Sequence, residues 1–375
     1  MKRTTWVIIA VSLILGGLYF ANENQNQETG PLKIGVLGAF TGEAAVYGEP
    51  FRNVVMLAVD EINKSGGING QKIEAIYEDD KCSGAIATSA VTKLINVDKV
   101  KIIIGSVCSS ATLAAVPIAE KAKVLILSPA ASSPDLTGIS PFFFRTYPSD
   151  AEQGKVLAEL ANKKGYKKVA FIQENKDFPL GILKSFESGF TKYGGVVIKE
   201  EFLTETTDFR SSLIKLRNQN PDALYVDTQT PGGTERILKQ LSEIGWKPQL
   251  FVNDVVSGDP VTVSNNKAFL EGTFAAEFGI DENNLIFQNM LKSYKGKYGD
   301  EVAYQSYAQT EYDSIYLISD GIKEVGYDGE KLALWSRTVK DWKGASGETT
   351  ISKDGDRLGG PVAKVIHNGK TEVLK

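Results

Sequence analysis

From residue 32 onward, short apolar runs alternate with longer segments in which apolar positions recur at helical spacing. Short continuous runs are typical of buried strands, and segments of about 10–15 residues are typical of helices that cover a sheet. This alternation predicts a parallel sheet with right-handed crossovers. The predicted strands cover 32–38, 72–77, 100–104 and 124–127, and the helices between them cover 51–63, 85–95 and 112–122.

The same alternation occurs a second time after residue 150, which predicts an α/β fold with two Rossmann-like lobes. Pro141 and Pro148 flank the boundary between the two runs, as expected of a connection. A mostly helical segment and a hairpin around Asn368 and Gly369 follow. The helices predicted in this part cover 150–163, 180–192, 209–219, 233–244, 289–298, 307–325 and 330–339, and the strands cover 168–172, 196–202, 223–226, 249–253, 362–366 and 371–374.

The N-terminal residues 1–21 differ from the rest of the chain. Lys2 and Arg3 precede an apolar segment, 6–20, which is typical of a secretory signal peptide. The residues that would precede a cleavage site do not form a small-x-small pair. An uncleaved membrane anchor is therefore the alternative, with 22–30 as a polar linker. Either interpretation places the remainder of the chain outside the cytoplasm.

Composition and cysteine content narrow the class of protein. The chain of 375 residues has a net charge of −4 and no basic run, so nucleic acid is not an expected partner. Its two cysteines are Cys82 and Cys108. Export makes a disulfide chemically available, and the even number favours a bridge over the alternative of two buried free thiols.

Catalytic and cofactor motifs are missing from the sequence. The only histidine is His367, and neither a GxSxG elbow nor a CxxC or HExxH metal motif is present. The glycines of 35–42 have the spacing GxxGxxxG, which differs from the dinucleotide pattern GxGxxG. We interpret the acidic run 78–80 as a solvated or capping cluster. We therefore expect no enzyme activity, no cofactor and no metal.

The positive evidence indicates binding of a small molecule. Residues 105–112 (GSVCSSAT) join a predicted strand to a predicted helix, and their hydroxyls lie beside helix N–H groups that have no helical acceptor. Such a turn suits a carboxylate, although an ordinary helix cap is the alternative. Asp254 follows the last strand of the second run and would face this turn, where it suits an ammonium group, unless it only caps a turn. Together the two features suit the head group of an amino acid.

Five motifs in order carry a family resemblance. With them, the chain from about residue 32 to its end resembles the periplasmic leucine/isoleucine/valine-binding proteins, which are type I solute-binding components of ABC importers. The motifs are 66–70 (GGING), 78–82 (EDDKC), 105–110 (GSVCSS), 128–134 (SPAASSP) and 144–146 (FRT).

The resemblance implies two lobes joined by a three-strand hinge, with crossings near 145–150, 273–278 and 344–352. Lobe 1 would then comprise 31–149 plus 278–347, and lobe 2 would comprise 150–277 plus 348–375. The family's disulfide falls on Cys82 and Cys108.

The resemblance also implies a ligand site. The ligand carboxylate would meet Ser109, Ser132 and the backbone of Ala130, and the ammonium would meet Asp254. Tyr47 and Tyr307 would supply aromatic walls. Two second-lobe tyrosines of the family are replaced here, one by Phe178 and the other near Thr230. The specificity for the side chain of the ligand is therefore left open. The ligand-binding residues implied are Tyr47, Ser109, Ala130, Ser132, Phe178, Thr230, Asp254 and Tyr307.

The implied function is the extracytoplasmic solute-binding component of an ABC importer, with a permease and an ATPase as partners. The implied ligand is a branched-chain or similar amino acid, bound without a cofactor. A ligand-sensing ectodomain for amino acids, amides or small carboxylates is the alternative. The residues themselves do not name the ligand.

Overall fold

The first lobe is built on a sheet of five parallel strands in the order β2-β1-β3-β4-β5. In the computed structural model, which describes residues 30–374, its inner strands are apolar and largely buried because helices cover both faces of a parallel sheet, whereas the edge strand Ile73–Asp79 is only partly buried. The strands are β1 (Leu32–Gly38), β2 (Ile73–Asp79), β3 (Ile102–Gly105), β4 (Leu125–Ser128) and β5 (Phe143–Arg145), and the connecting helices are α1 (Ala45–Lys64), α2 (Gly84–Asn96) and α3 (Ser109–Lys121).

The second lobe is built on a sheet of seven strands in the order β14-β13-β10-β9-β8-β6-β7. Strands β6 to β10 are parallel, and the C-terminal hairpin β13–β14 joins antiparallel at one edge. The strands are β6 (Lys168–Glu174), β7 (Val196–Phe202), β8 (Ala223–Asp227), β9 (Gln249–Val252), β10 (Phe274–Phe278), β13 (Pro361–His367) and β14 (Lys370–Val373).

Seven helices of the described residues belong to the second run of the chain, and three more follow β10. The later helices return to the first lobe, where α12 packs on α1. A short hairpin, β11 (Trp342–Gly344) with β12 (Gly347–Thr349), comes after them. The helices are α4 (Asp150–Lys163), α5 (Asp177–Lys192), α6 (Arg210–Arg217), α7 (Pro231–Glu243), α8 (Asp254–Ser257), α9 (Pro260–Asn265), α10 (Lys267–Leu270), α11 (Leu285–Tyr298), α12 (Gln305–Val325) and α13 (Gly329–Ser336).

Arg357 contacts all three segments that connect the lobes. Its Nη1 donates to the carbonyl oxygen of Thr146 at 3.1 Å, and its Nη2 donates to that of Glu348 at 3.0 Å. The guanidinium also lies 4.5 Å from the ring centre of Phe278. One buried cation therefore holds all three connections in register.

The predicted α/β architecture of two lobes is confirmed, and most predicted elements lie within a few residues of the observed ones. The start of α1 is wrong, because the helix begins at Ala45 and contains Pro50. A Cβ at Gly48 would lie 1.8 Å from the carbonyl oxygen of Ala39, so the first turn packs too closely on the preceding loop for any larger residue. The strands β5, β10, β11 and β12 are absent from the prediction.

Among residues 30–374, no helix is both long enough and apolar enough to cross a membrane. The apolar segment 6–20, predicted to be a signal peptide or anchor, lies outside the described residues, as does the linker 22–29.

Candidate functional site

A small cavity lies between the lobes, at the carboxyl ends of the strands. Six of the eight residues proposed from the sequence line it. The remaining two, Thr230 and Asp254, are next to residues that line it. The lining residues are Tyr47, Val107, Ser109, Ala130, Ser132, Phe178, Gln229, Val255, Tyr307 and Glu311.

The first wall is the turn between β3 and α3. Gly105 has a φ of +115°, and a Cβ there would lie 1.9 Å from the carbonyl oxygen of Leu37, so only glycine fits. Cys108 is the N-cap residue, and no side chain caps the helix. Ser109 lies in the first turn, and its Oγ accepts the N–H of Ser133 at 3.1 Å. Its hydroxyl hydrogen therefore remains available to a ligand, beside first-turn N–H groups without helical acceptors.

The hydroxyl of Thr112 is used inside the helix, which differs from the sequence interpretation of this turn. Its hydroxyl donates to the carbonyl oxygen of Cys108 at 3.0 Å inside the helix, so it is not offered to a ligand. The hydroxyl of Ser110 has no hydrogen-bond partner among the described residues, yet Ser110 does not line the cavity.

The second wall is the loop after β4, which carries Ala130 and Ser132. Arg145 is fully buried and holds this loop, because its Nη1 donates to the carbonyl oxygen of Ser133 at 2.9 Å. Its Nε pairs with Asp356 at 2.8 Å. The arginine thereby couples the position of a cavity wall to the third connection between the lobes.

Asp254 lies in the second lobe, in the first turn of α8, and precedes Val255, which lines the cavity. It is 1 % exposed, and its Oδ2 accepts the hydroxyl of Tyr147 at 2.7 Å, whereas its Oδ1 has no partner in the described part of the chain. Burial raises the pKa of Asp254 to about 6, although the Tyr147 hydroxyl opposes the shift. Burial and the charge of Asp254 also raise the pKa of nearby Asp150 well above its usual range. The region is acidic and incompletely hydrogen-bonded, as a cation site would be.

The third wall contains Tyr47, whose hydroxyl lies against the disulfide. Cys82 and Cys108 are bridged with their Cα atoms 5.4 Å apart, so the predicted disulfide is present. The sequence pattern predicts Tyr47 in the loop after β1, but this residue lies in the first turn of α1. Its hydroxyl lies 3.5 Å from Cys108 Sγ and accepts Nε2 of Gln229 at 3.1 Å.

Comparisons with known proteins identify the family of this chain. Residues 31–365 match the family model described as periplasmic binding protein. The chain belongs to this family.

Three relatives illustrate the breadth of the match. A leucine-, isoleucine-, valine-, threonine- and alanine-binding protein of Pseudomonas aeruginosa is 28 % identical over 89 % of this chain and 88 % of the relative. The leucine binding protein LivK of Thermotoga maritima has a TM-score of 0.84 at 28 % identity, covering 92 % of this chain and 98 % of LivK. LivJ of Streptococcus pneumoniae, a branched-chain amino acid transporter substrate-binding protein in complex with isoleucine, has a TM-score of 0.82 at 29 % identity, covering 92 % and 99 %.

In this periplasmic binding protein, Phe178 and Thr230 of the second lobe differ in their position relative to the cavity. Phe178 lines the cavity from the first turn of α5. Thr230 lies just outside it, where its hydroxyl donates to Glu43 at 3.3 Å, and the adjacent Gln229 reaches the cavity instead. The second-lobe wall therefore consists of the Gln229 amide, the Phe178 ring and the side chain of Val255.

The structure adds residues that sequence reasoning missed. Tyr147 directly follows the motif 144–146. Its position on the first connection between the lobes could therefore have indicated it from the sequence. Gln229 and Glu311 had no such signal, because neither belongs to a motif and each lies among residues of ordinary composition. Among the described residues, no group of three or more His, Cys, Asp or Glu side chains could hold a metal ion.

Contacts across the cleft show that the two lobes are closed on each other. Gln229 of the second lobe bonds to Tyr47 of the first, and Arg236 Nη1 lies 3.2 Å from Glu43 Oε1 at the rim. With the lobes in this arrangement, a ligand in the cavity would contact both lobes.

Proposed function

We propose that the protein binds a free α-amino acid between its lobes as the extracytoplasmic solute-binding component of an ABC importer. One observation carries the proposal. A free hydroxyl donor and the start of α3 lie on one side of the cavity, at Ser109, and the buried Asp254, with one unpartnered oxygen, precedes Val255, which lines the cavity from the second lobe. Donors for a carboxylate opposite an acceptor for an ammonium match the two ends of an amino-acid head group.

The proposed contacts follow from this arrangement. Ser109, Ser132 and the backbone of Ala130 bind the carboxylate, and Asp254, positioned by Tyr147, binds the ammonium. Tyr47, Phe178 and Tyr307 form the wall around the ligand side chain, and Thr230 supports Gln229. The names of the Pseudomonas and Streptococcus relatives support an amino acid with a small or branched side chain as the starting hypothesis.

The role is binding and delivery rather than catalysis, with a membrane permease and its ATPase as the expected partners. In this proposal lobe 1 comprises 31–149 with 278–347 and lobe 2 comprises 150–277 with 348–375. The ends of the sheet strands at Arg145 and Phe278 support those divisions. The segment 6–20 would export the protein and either be removed or retained as a tether.

Thermal unfolding against a ligand panel tests the proposal. The full-length protein, kept in mild detergent because of its apolar residues 6–20, is heated with each common amino acid, with amides and with simple carboxylates. An amino acid at 100 times its Kd should raise the free energy of unfolding by about 2.7 kcal/mol, which shifts the midpoint measurably.

A matched series of one ligand serves as control. The amino acid that shifts the midpoint is compared with its N-acetyl and methyl ester derivatives, which lack the ammonium and the carboxylate respectively. Both derivatives should fail. Stabilisation by amides or simple acids, with none by any amino acid, would contradict the proposal and remove Asp254 as an ammonium partner.

A further inference from the structure

Glu311 is a buried carboxyl group on the wall of the ligand cavity. It lies four residues after Tyr307 on α12, so both side chains project from the same face of the helix. The residue is 2 % exposed and lines the cavity. In the described part of the chain, no hydrogen bond or ion pair is made by its carboxylate.

Two other buried carboxyl groups, those of Asp313 and Glu277, have partners within the protein. Asp313, two residues further along α12, accepts the N–H groups of Ala345 and Ser346 at 2.6 and 2.9 Å. Glu277 pairs with Lys364 at 2.6 Å. Such partners are what a structural buried carboxylate requires, since burial without them is strongly unfavourable. Glu311 lacks them, and burial alone raises its pKa well above the usual range.

A second acceptor without a partner lines the same cavity. The Nε2 of Gln229 donates to the Tyr47 hydroxyl at 3.1 Å, but its Oε1 is buried and has no hydrogen-bond partner among the described residues. Both groups therefore offer oxygen acceptors. The head group is already provided for by Ser109 and Asp254, so these acceptors are left for the side chain of the ligand.

We propose that Glu311 selects the ligand through its side chain, and that the bound amino acid carries a hydrogen-bond donor there, such as an amide, a hydroxyl or an ammonium group. This inference rests on the proposed function, because it assumes that the head group occupies the Ser109 and Asp254 positions. It assigns to Glu311 a role in specificity, in which a ligand donor satisfies the buried oxygen that the protein leaves unpartnered.

Pairs of amino acids with nearly equal shape test the inference. Calorimetric titration of the full-length protein compares valine with threonine, leucine with asparagine, and norleucine with ornithine. In at least one pair, the member that carries the donor should bind at least ten-fold more tightly. That comparison uses the unmodified protein, so it does not depend on a variant that folds.

Three variants then assign the preference to Glu311. Glu311→Leu removes the acceptor and should abolish or reverse the preference. Glu311→Gln retains an acceptor oxygen without a negative charge, so it should keep a preference for threonine or asparagine but lose one for ornithine. Glu324→Leu, an exposed position on the same helix, is the matched control and should bind every ligand like the unmodified protein.

The outcomes separate this inference from the proposed function. If amino acids bind but the apolar member of each pair binds as well or better, Glu311 is a protonated residue of the core and the inference is overturned, while the proposed function stands. The same conclusion follows if a donor preference survives in Glu311→Leu. If no amino acid binds at all, the proposed function fails first.

Discussion

At the scale of the residue, the charge state of Asp254 should govern ligand affinity. The group is buried, its pKa is raised to about 6 mainly by burial, and one of its oxygens has no partner in the described part of the chain. An ammonium ligand pairs only with the ionised carboxylate. Protonation must therefore compete with binding.

We expect ligand affinity to fall as the pH is lowered through about 6, by at most ten-fold for each unit of pH, since a single proton must be displaced. Calorimetric titration between pH 4.5 and 8 measures this. Asp254→Asn should weaken binding at pH 7.5 by about 2–5 kcal/mol, the scale for removing one member of a buried charged pair.

The same variant is the control for the pH dependence. Asp80 and Asp313 also have pKa values raised to about 6, so they titrate in the same range. Affinity for Asp254→Asn should be nearly independent of pH across this range. A pH dependence that persists in the variant would assign the titration to another carboxyl group.

The ionisation of Asp254 affects the stability of the fold with the opposite sign. In the closed, ligand-free protein, Asp254 retains a proton at pH values where the unfolded chain has released it, because the folded pKa lies above the ordinary value of 3.8. Its contribution to the free energy of unfolding is therefore present below about pH 4 and is lost as the pH rises through 6. Stability and affinity respond to this residue in opposite directions.

At the scale of the element, the disulfide joins the loop after β2 to the residue that precedes α3. Cys108 is the N-cap residue of α3, and Ser109 next to it lines the cavity. The bridge thus connects the covalent framework directly to the proposed carboxylate site. Its two cysteines are 26 residues apart.

Removing the bridge with Cys82→Ser and Cys108→Ser together should lower the free energy of unfolding by about 3–4 kcal/mol, because the loop is no longer closed in the unfolded chain. Chemical denaturation of the oxidised protein and of the double variant measures the difference. Reductant should destabilise the unmodified protein to the same degree and leave the double variant unaffected. Equal midpoints for all three samples would show that the bridge contributes nothing to stability.

At the scale of the whole molecule, closure depends on a close approach between helix α5 and the loop after β4. A Cβ at Gly181 would lie 2.5 Å from Cδ of Pro134, and its three nearest atoms all belong to the first lobe. A larger residue at 181 would therefore obstruct closure, while leaving the packing inside the second lobe intact.

We expect Gly181→Val to weaken ligand binding by at least ten-fold, because only the closed state contacts both ends of the ligand. Small-angle X-ray scattering should show that the radius of gyration of the variant no longer decreases when ligand is added. Thermal unfolding without ligand should change little. A variant that closes and binds normally would show that the lobes approach by another path.

The exposed ion pair beside this contact provides a control. Lys184 and Asp135 bridge the cleft at 3.2 Å, with side chains that are 72 % and 59 % exposed. Solvent screens such a pair, so Lys184→Ala should change affinity by less than about 1 kcal/mol. The comparison separates steric obstruction of closure from loss of a surface contact.

Much of the architecture was readable from the sequence, because it depends on local patterns. Apolar runs alternating with helical periodicity predict both lobes, and the turn of 105–112 with Asp254 indicates the two ends of the proposed head-group site. The family motifs supply the pairing of Cys82 with Cys108, which the structure contains. These features depend on neighbours in the chain or on the rule that strands of a parallel sheet end at one edge.

Only the tertiary structure revealed which other polar side chains meet in the cleft. Tyr147, Gln229 and Glu311 come from the first connection, the loop after β8 and the middle of α12, so each is about 80 residues from the next. Periodicity indicates that a position is buried, but whether a buried carboxyl group has a partner depends on distant segments packed against it. The described part of the chain provides no partner for the Glu311 carboxyl group. This absence is the basis for proposing that a ligand supplies the partner.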